Sequence, residues 1–289
     1  MRILWIGEIV LDKTYTISND IKKWYKQQSI DSITSIGWTV PTALKFLKNM
    51  WCDVTIVWSV WSDPIAEYMK NQLESYWIMP YLIYDSSTKI NTVFVDEKTW
   101  TRTIIKDAIK NKQIVEIPIW LVKEADFIIF DRTEPLVFDY ILKHKRPDAK
   151  ILVDPSNEFT GKTIHMMKNS DAYIFPIEIM ENFWENYDLK NHAKVLYEIF
   201  WDIIIITDWW NWVHIFDWEY FENVDALSVE VIDTNWAWDV FRWAYAWGLL
   251  NNWENKKIIE FANKMAWLQC TKKWNMQAVP NKKEIQSIS

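Results

Sequence analysis

A chain of 289 residues that is 50% hydrophobic and 25% charged has ordinary globular composition, long enough for one large α/β domain or two small ones. Its formal net charge of −7 excludes a general affinity for nucleic acid or an anionic membrane, although not a local pocket for phosphate. Cys52 and Cys270 stand far apart with no C-x-x-C spacing, so neither a disulfide framework nor a zinc site is suggested, and the reducing cytoplasm fits.

Residues 2–6 are a short apolar run that predicts a strand rather than a signal peptide, and no stretch approaches the roughly 18 apolar residues of a membrane span. Asp12 follows just past that strand, and in open α/β sheets ligands gather at the carboxyl ends of strands. Residues 14–36 and 90–106 show β-leaning alternation and read as edge strands of a main sheet. Gly37 and Trp38 open a helix in which Val40, Ala43, Leu44 and Leu47 recur at helical spacing, with Pro41 in the first turn and Trp51 at the end.

The chain then alternates, with strands over 54–60, 127–130, 151–153, 172–175, 203–207 and 213–216 and helices over 64–76, 135–145 and 192–200. The run Ile203-Ile204-Ile205-Ile206 suits a strand covered on both faces. Repeated βα alternation predicts a mostly parallel sheet between helical layers. Helices over 239–250 and 256–272 close the pattern, and the tail after Pro280 is short and polar. No Ser- or Pro-rich linker and no internal repeat interrupts it, so a single domain over 1–289 is expected.

Residues 231–250 hold the strongest chemical signal: a strand end, a tight turn, and a helix beginning at Asp239. Such a turn directs unpaired N–H groups and the positive end of the helix dipole into one small volume, which suits a phosphate. A backbone that must approach an anion closely wants glycine, yet Trp236 and Trp238 flank Ala237. The misfit recurs. Trp209, Trp210 and Trp212 surround Asn211 in a turn between apolar strands, Trp218 follows Asp217 where an Asp-Gly hairpin turn is expected, and Trp51 ends a helix pattern just before a strand. The chain has 22 Trp and 4 Gly, against about 7% glycine in ordinary proteins. The pattern predicts that most of these tryptophans are UGA codons read as Trp in a lineage whose ribosomes insert glycine there.

Taken with glycine at both positions, Asp233 to Asp239 becomes D-T-N-G-A-G-D, which resembles the signature of the ribokinase-like (PfkB) family of carbohydrate and nucleoside kinases. The stretch from Gly37 to Trp51 resembles the family's first signature, G-G-x-x-x-N-x-A-x-x-L-x-x-x-G, with Thr42 at the Asn position and the alanine shifted to Ala43. Thr207 to Trp212, T-D-W-W-N-W, resembles the family's T-x-G-x-x-G turn. One departure is larger: where relatives carry N-x-x-E, this chain has Ile177 and Met180 at the two positions, with Glu178 and Glu181 nearby.

The resemblance implies a three-layer αβα sandwich with a mostly parallel central sheet and a small β-sheet lid built from 14–36 and 90–106. It implies transfer of the γ-phosphate of ATP to an alcohol of a sugar or nucleoside, with Asp239 as general base and the N–H groups of Trp236, Ala237, Trp238 and Asp239 as the anion hole. Asp12, with Gly37, Trp38 and Thr42, would hold the acceptor, while Thr207, Trp209, Trp212 and Asn263 would line the nucleotide. Arg102 and Arg132 are candidates for a charged group on the substrate. Mg2+ would come with the nucleotide, held by phosphates and water, and no side chain is singled out as a metal ligand. A potassium (K+) requirement and a homodimer through the lid stay open. So do a nucleoside kinase and a non-catalytic sugar-binding pseudokinase, the first motivated by Thr42 and the second by the altered N-x-x-E. His144, His165, His192 and His214 show no metal-ligand spacing, and neither a Walker A lysine motif nor a serine nucleophile elbow is present.

Overall fold

The computed structural model describes residues 1–18, 21, 24–37, 39–84, 87–98, 101–108, 113–130, 134–155, 158–179, 188–208, 212–218, 220–225, 229–232, 237–272 and 279–288, the side chains of 39–42, 102, 212 and 287–288 excepted. In chain order the elements are β1 (Arg2–Ile6), β2 (Leu11–Ile17), β3 (Asp31–Ile36), α1 (Thr39–Asn49), β4 (Asp53–Val60), α2 (Pro64–Ser75), β5 (Met79–Tyr84), β6 (Ile90–Asp96) and β7 (Arg102–Ile105). Next come α3 (Ile119–Glu124), β8 (Phe127–Phe130), α4 (Pro135–His144), β9 (Lys150–Val153), α5 (Gly161–Lys168), β10 (Ala172–Tyr173), β11 (Phe175–Pro176) and α6 (Leu189–Phe200). The chain closes with β12 (Ile204–Asp208), β13 (Trp212–Asp217), β14 (Tyr220–Val224), α7 (Ala237–Leu250), α8 (Asn255–Cys270) and α9 (Lys282–Ile288).

Among the described residues, β10, β9, β8, β1, β4 and β5 lie side by side in that order, every pairing parallel. Only Ile174 separates β10 from β11, which pairs in parallel with β12; antiparallel β13 and β14 follow. Parallel strands are covered on both faces, so successive residues must both be apolar. Ile3, Trp5, Ile56, Trp58, Phe127 and Ile129 enter one core with side chains of α1, α2, α7 and α8. Leu4, Ile6, Val57, Ile128, Phe130 and Ile151 enter the other, with α3, α4, α5 and α6. The result is the expected three-layer sandwich, in which each fully buried Ile, Leu or Phe contributes about 1.5–3 kcal/mol. Helix starts are fixed locally: the Asp63 carboxylate accepts the Ala66 N–H at 2.8 Å ahead of Pro64, and Thr160 and Thr163 form a reciprocal cap on α5.

A second sheet, in the order β3-β2-β6-β7, takes up the two β-leaning segments. β2 and β6 run parallel, and β3 and β7 pair antiparallel on either side. β2 begins at Leu11, so Asp12, which follows β1 in the chain, is held in this small sheet. The short, polar tail after Pro280 forms α9. Asn281 caps that helix: its Oδ1 accepts the N–H of Lys283 and Glu284 at 3.0 and 3.2 Å, while Glu284 Oε2 accepts the Asn281 N–H at 2.9 Å. Ile285 is buried, and Lys272 pairs with Glu284 at 2.6 Å.

Three helices end in one hydrogen-bond pattern. Cys52 N–H donates to Leu47 O and Trp51 N–H to Lys48 O after α1; Ile78 donates to Leu73 O and Trp77 to Glu74 O after α2; Trp253 donates to Gly248 O and Asn252 to Leu249 O after α7. This closure needs a left-handed residue, usually Gly and sometimes Asn. Accordingly φ is 64° at Trp51, 60° at Trp77 and 53° at Asn252, and Trp24 and Trp201 share that region at 68° and 54°. An L side chain costs about 1–2 kcal/mol there. At the β13–β14 turn the Trp218 N–H donates to Asp217 Oδ1 at 2.7 Å. In the core, the indole N–H groups of Trp58 and Trp243 are buried without an acceptor among the described residues, an unmet donor costing about 1–3 kcal/mol each.

Candidate active site

The carboxyl edge of the parallel sheet collects three groups of polar side chains. In the first, Asp12 is buried at 7% exposure and takes its place from register, since β2 and β6 pair Asp12 with Asn91. Asn91 Nδ2 donates to Asp12 Oδ1 at 3.1 Å. Beneath them Leu11 N–H donates to Lys89 O at 3.0 Å, and Lys89 pairs with Glu8 at 2.5 Å, which ties the small sheet to the loop after β1. Gly37 closes the other side. A Cβ there would meet Val10 Cγ2 at 2.5 Å and stand 3.6 Å from Asp12 Oδ2, so only glycine lets the backbone come this close. Trp38 lies outside the described residues, and Thr42 is described by its backbone alone.

The second group stands at the start of α7. Ala237 is buried at 3% and Asp239 at 8%, both within the first turn, where N–H groups have no partner inside the helix. Trp238 packs edge-on against Phe241, ring centroids 6.4 Å apart. One turn on, Arg242 Nη1 lies 3.7 Å from Asp239 Oδ1 and donates to Asp154 Oδ2 at 2.5 Å. Asp154 directly follows β9, is buried at 4%, and donates its N–H to Phe130 O at 2.7 Å. Trp236, expected in the anion hole, lies outside the described residues.

The third group borders β12. Thr207 is buried, and its hydroxyl donates to Phe175 O at 3.3 Å, across to β11. Its neighbour Asp208 meets His214 Nε2 at 3.2 Å, while His214 Nδ1 meets Asn223 Oδ1 at 2.6 Å and the ring stacks on Phe221. Asn263 is 3% exposed. Its Nδ2 donates to Asp225 O at 2.9 Å, and its Oδ1 is buried without a partner among the described residues. Trp209 lies outside the described residues, and Trp212 is described only as the start of β13. Arg132 and Glu181 lie outside as well, and Arg102 is seen only as the backbone of β7.

The structure places Asp12 beside Gly37, and Ala237, Trp238 and Asp239 in the first turn of α7. Asn91, Asp154 and Arg242 are partners that motif reading missed. The i,i+3 spacing of Asp239 and Arg242 was a legible signal, whereas Asn91 needed the strand register. No three His, Cys, Asp or Glu side chains form a metal-holding group among the described residues. A cavity of about 330 Å3 opens at the opposite, amino ends of the strands, walled by Arg2, Asp53, Trp77, Met79, Trp120 and Glu124. That end is not where open α/β sheets bind ligands. Among the described residues no helix is long and apolar enough to cross a membrane.

A parallel sheet between helical layers, with a small sheet beside its carboxyl edge, defines the ribokinase fold, and this chain has it. It is similar to the ribokinase of Thermotoga maritima, at 17% identity and a TM-score of 0.82, over 99% of this chain and 98% of that one. It is also similar to the Arabidopsis thaliana ribokinase solved with ribose and ATP (12%, 0.82, 99% and 97%) and to an uncharacterized sugar kinase from Pyrococcus horikoshii (18%, 0.72, 99% and 97%). No family model matches the sequence, and no curated protein matches it significantly.

Proposed function

We propose that this chain transfers the γ-phosphate of ATP to a hydroxyl of a sugar or related small molecule, with Asp239 as general base. The observation that supports this most is a single buried carboxylate in the first turn of α7, next to the carboxyl end of β9. Phosphoryl transfer needs positioning, donors for the charge on the moving group, and a carboxylate to take the hydroxyl proton. The first-turn N–H groups and helix dipole would hold the γ-phosphate. Asp239 would accept the proton as the hydroxyl oxygen bonds to phosphorus and ADP departs. Asp12, steadied by Asn91, would accept hydrogen bonds from other hydroxyls and orient the acceptor. The buried Asn263 Oδ1, without a partner among the described residues, would receive a donor from the nucleotide base. Magnesium enters with ATP, on its phosphates. The small sheet acts as a lid that excludes water, the competing acceptor.

Glycine at 236 and 238 belongs to the same reading. Among the described residues four tryptophans are left-handed, at 24, 51, 77 and 201, and two core indoles have no acceptor for their N–H groups; glycine removes both costs. Intact mass and peptide sequencing of protein from its own host test it, and a mass fitting all 22 tryptophans would defeat it. For the activity, ADP release is measured with ATP across pentoses, hexoses and nucleosides, on the chain with glycine at 236 and 238, beside Asp239→Asn. We expect acceptor-dependent release that falls about 10²–10⁴-fold in the variant. Equal rates in both would overturn the assignment, and a preference for nucleosides would redefine the acceptor.

A further inference from the structure

Arginine ordinarily sends its guanidinium into water, as Arg2 does at the amino end of the sheet, where it pairs with Glu124 at side-chain exposures of 59% and 50%. Arg242 behaves differently. Its side chain is 15% exposed, and its Nη1 sits between two carboxylates that are themselves 5% and 11% exposed, those of Asp154 and Asp239. The two contacts are unequal: 2.5 Å to Asp154 is a full charge-assisted hydrogen bond, while 3.7 Å to Asp239 Oδ1 is an ion-pair contact without one. Asp154 in turn is fixed by its backbone, whose N–H extends the β8–β9 ladder to Phe130 O. A rigid strut therefore runs from the central sheet through Asp154 and Arg242 to the proposed base.

We infer that Arg242 is a positioning residue: anchored by Asp154, its guanidinium fixes the rotation of the Asp239 carboxylate and so the direction in which that group meets the acceptor hydroxyl. The inference rests on the reading of Asp239 as the base. Stability alone is a poor reason for this arrangement, because buried ion pairs seldom outperform well-packed apolar residues. Arg242 also buries its Nε–H without an acceptor among the described residues, at a further cost. Such a cost is expected where the position of a charge matters for function. The spacing is suited to the task, since residues three apart on a helix share a face.

The test uses the full chain with glycine at 236 and 238, ATP, and whichever pentose, hexose or nucleoside of the panel turns over fastest. Arg242→Gln is expected to lower kcat about 10²-fold, the usual penalty for a catalytic group displaced by an ångström, with KM for ATP little changed. Arg242→Lys keeps the cation and recovers part of the rate, and guanidinium added to Arg242→Ala restores turnover. Asp154→Asn combined with Arg242→Gln is no slower than the slower single variant, because the two act as one unit. The inference is overturned if Arg242→Gln keeps the parental kcat while Asp239→Asn is inactive. It is also overturned if the activity of every Arg242 variant simply follows its thermal stability, with no rescue by guanidinium. If Asp239→Asn matches the parent, or no acceptor turns over, the assignment of the base itself falls and takes this inference with it.

Discussion

Asp12 and Asp239 are both buried carboxylates near the carboxyl edge of one sheet, yet the chain holds them in opposite ways. Asp12 comes from a strand of the small sheet and meets a neutral amide, Asn91, supplied by strand register. Asp239 comes from a helix start and faces a cation, Arg242, that is braced against the central sheet. A carboxylate on a separate sheet beside a neutral partner suits gripping a neutral polyol and moving with the lid. A carboxylate on a fixed helix with a braced cation suits chemistry that tolerates little displacement. The first should therefore govern how well the acceptor binds, the second how fast it reacts.

The largest expected effect is on the reacting side: Asp239→Asn should lower kcat by about 10²–10⁴-fold while acceptor KM changes little, read from steady-state kinetics. Next comes Asp12→Ala. Hydrogen bonds to a charged group are worth about 1.5–3 kcal/mol, so acceptor KM should rise about 10- to 100-fold with a smaller change in kcat. If Asp12→Ala instead abolished kcat at saturating acceptor, the division of labour would be wrong. Asn91→Ala should mimic it weakly, raising KM a few-fold, since a neutral hydrogen bond is worth about 1 kcal/mol. Smallest per site, and away from both carboxylates, Trp51→Gly and Trp77→Gly should each raise stability by about 1 kcal/mol in denaturant titrations. Asn252→Gly, at the same kind of helix end, should change it by only a few tenths, because Asn already tolerates the left-handed region.

These contrasts also mark what could be read from residues alone. Continuous apolar runs such as 127–130 and 203–207 announced buried parallel strands, and β8 matches its expected bounds. Asp239 could be singled out from its local motif, and Asp12 from its place after the first strand. β14 and α9 were missed: the first is a half-exposed edge strand without a strong apolar pattern, and the second hides a capping box in a polar tail. Asn91, Asp154 and Arg242 act through partners 79, 88 and 3 residues away in sequence. Only the last lies within the reach of periodicity, and its meaning depends on Asp154, which topology alone brings near. The left-handed tryptophans were foreseen at 51 from the helix pattern; those at 24, 77 and 201 emerged from the backbone.

In the proposed reaction, phosphoryl transfer depends on an unobstructed backbone turn leading into Asp239. Its most direct test is ³¹P NMR of the phosphorylated acceptor formed from ATP by two chains that differ only at 236 and 238, glycine in one and tryptophan in the other, each with and without Asp239→Asn. Product is expected from the glycine chain alone, and only while Asp239 is present. Equal product from the tryptophan chain, or from the Asp239→Asn variant, would contradict it.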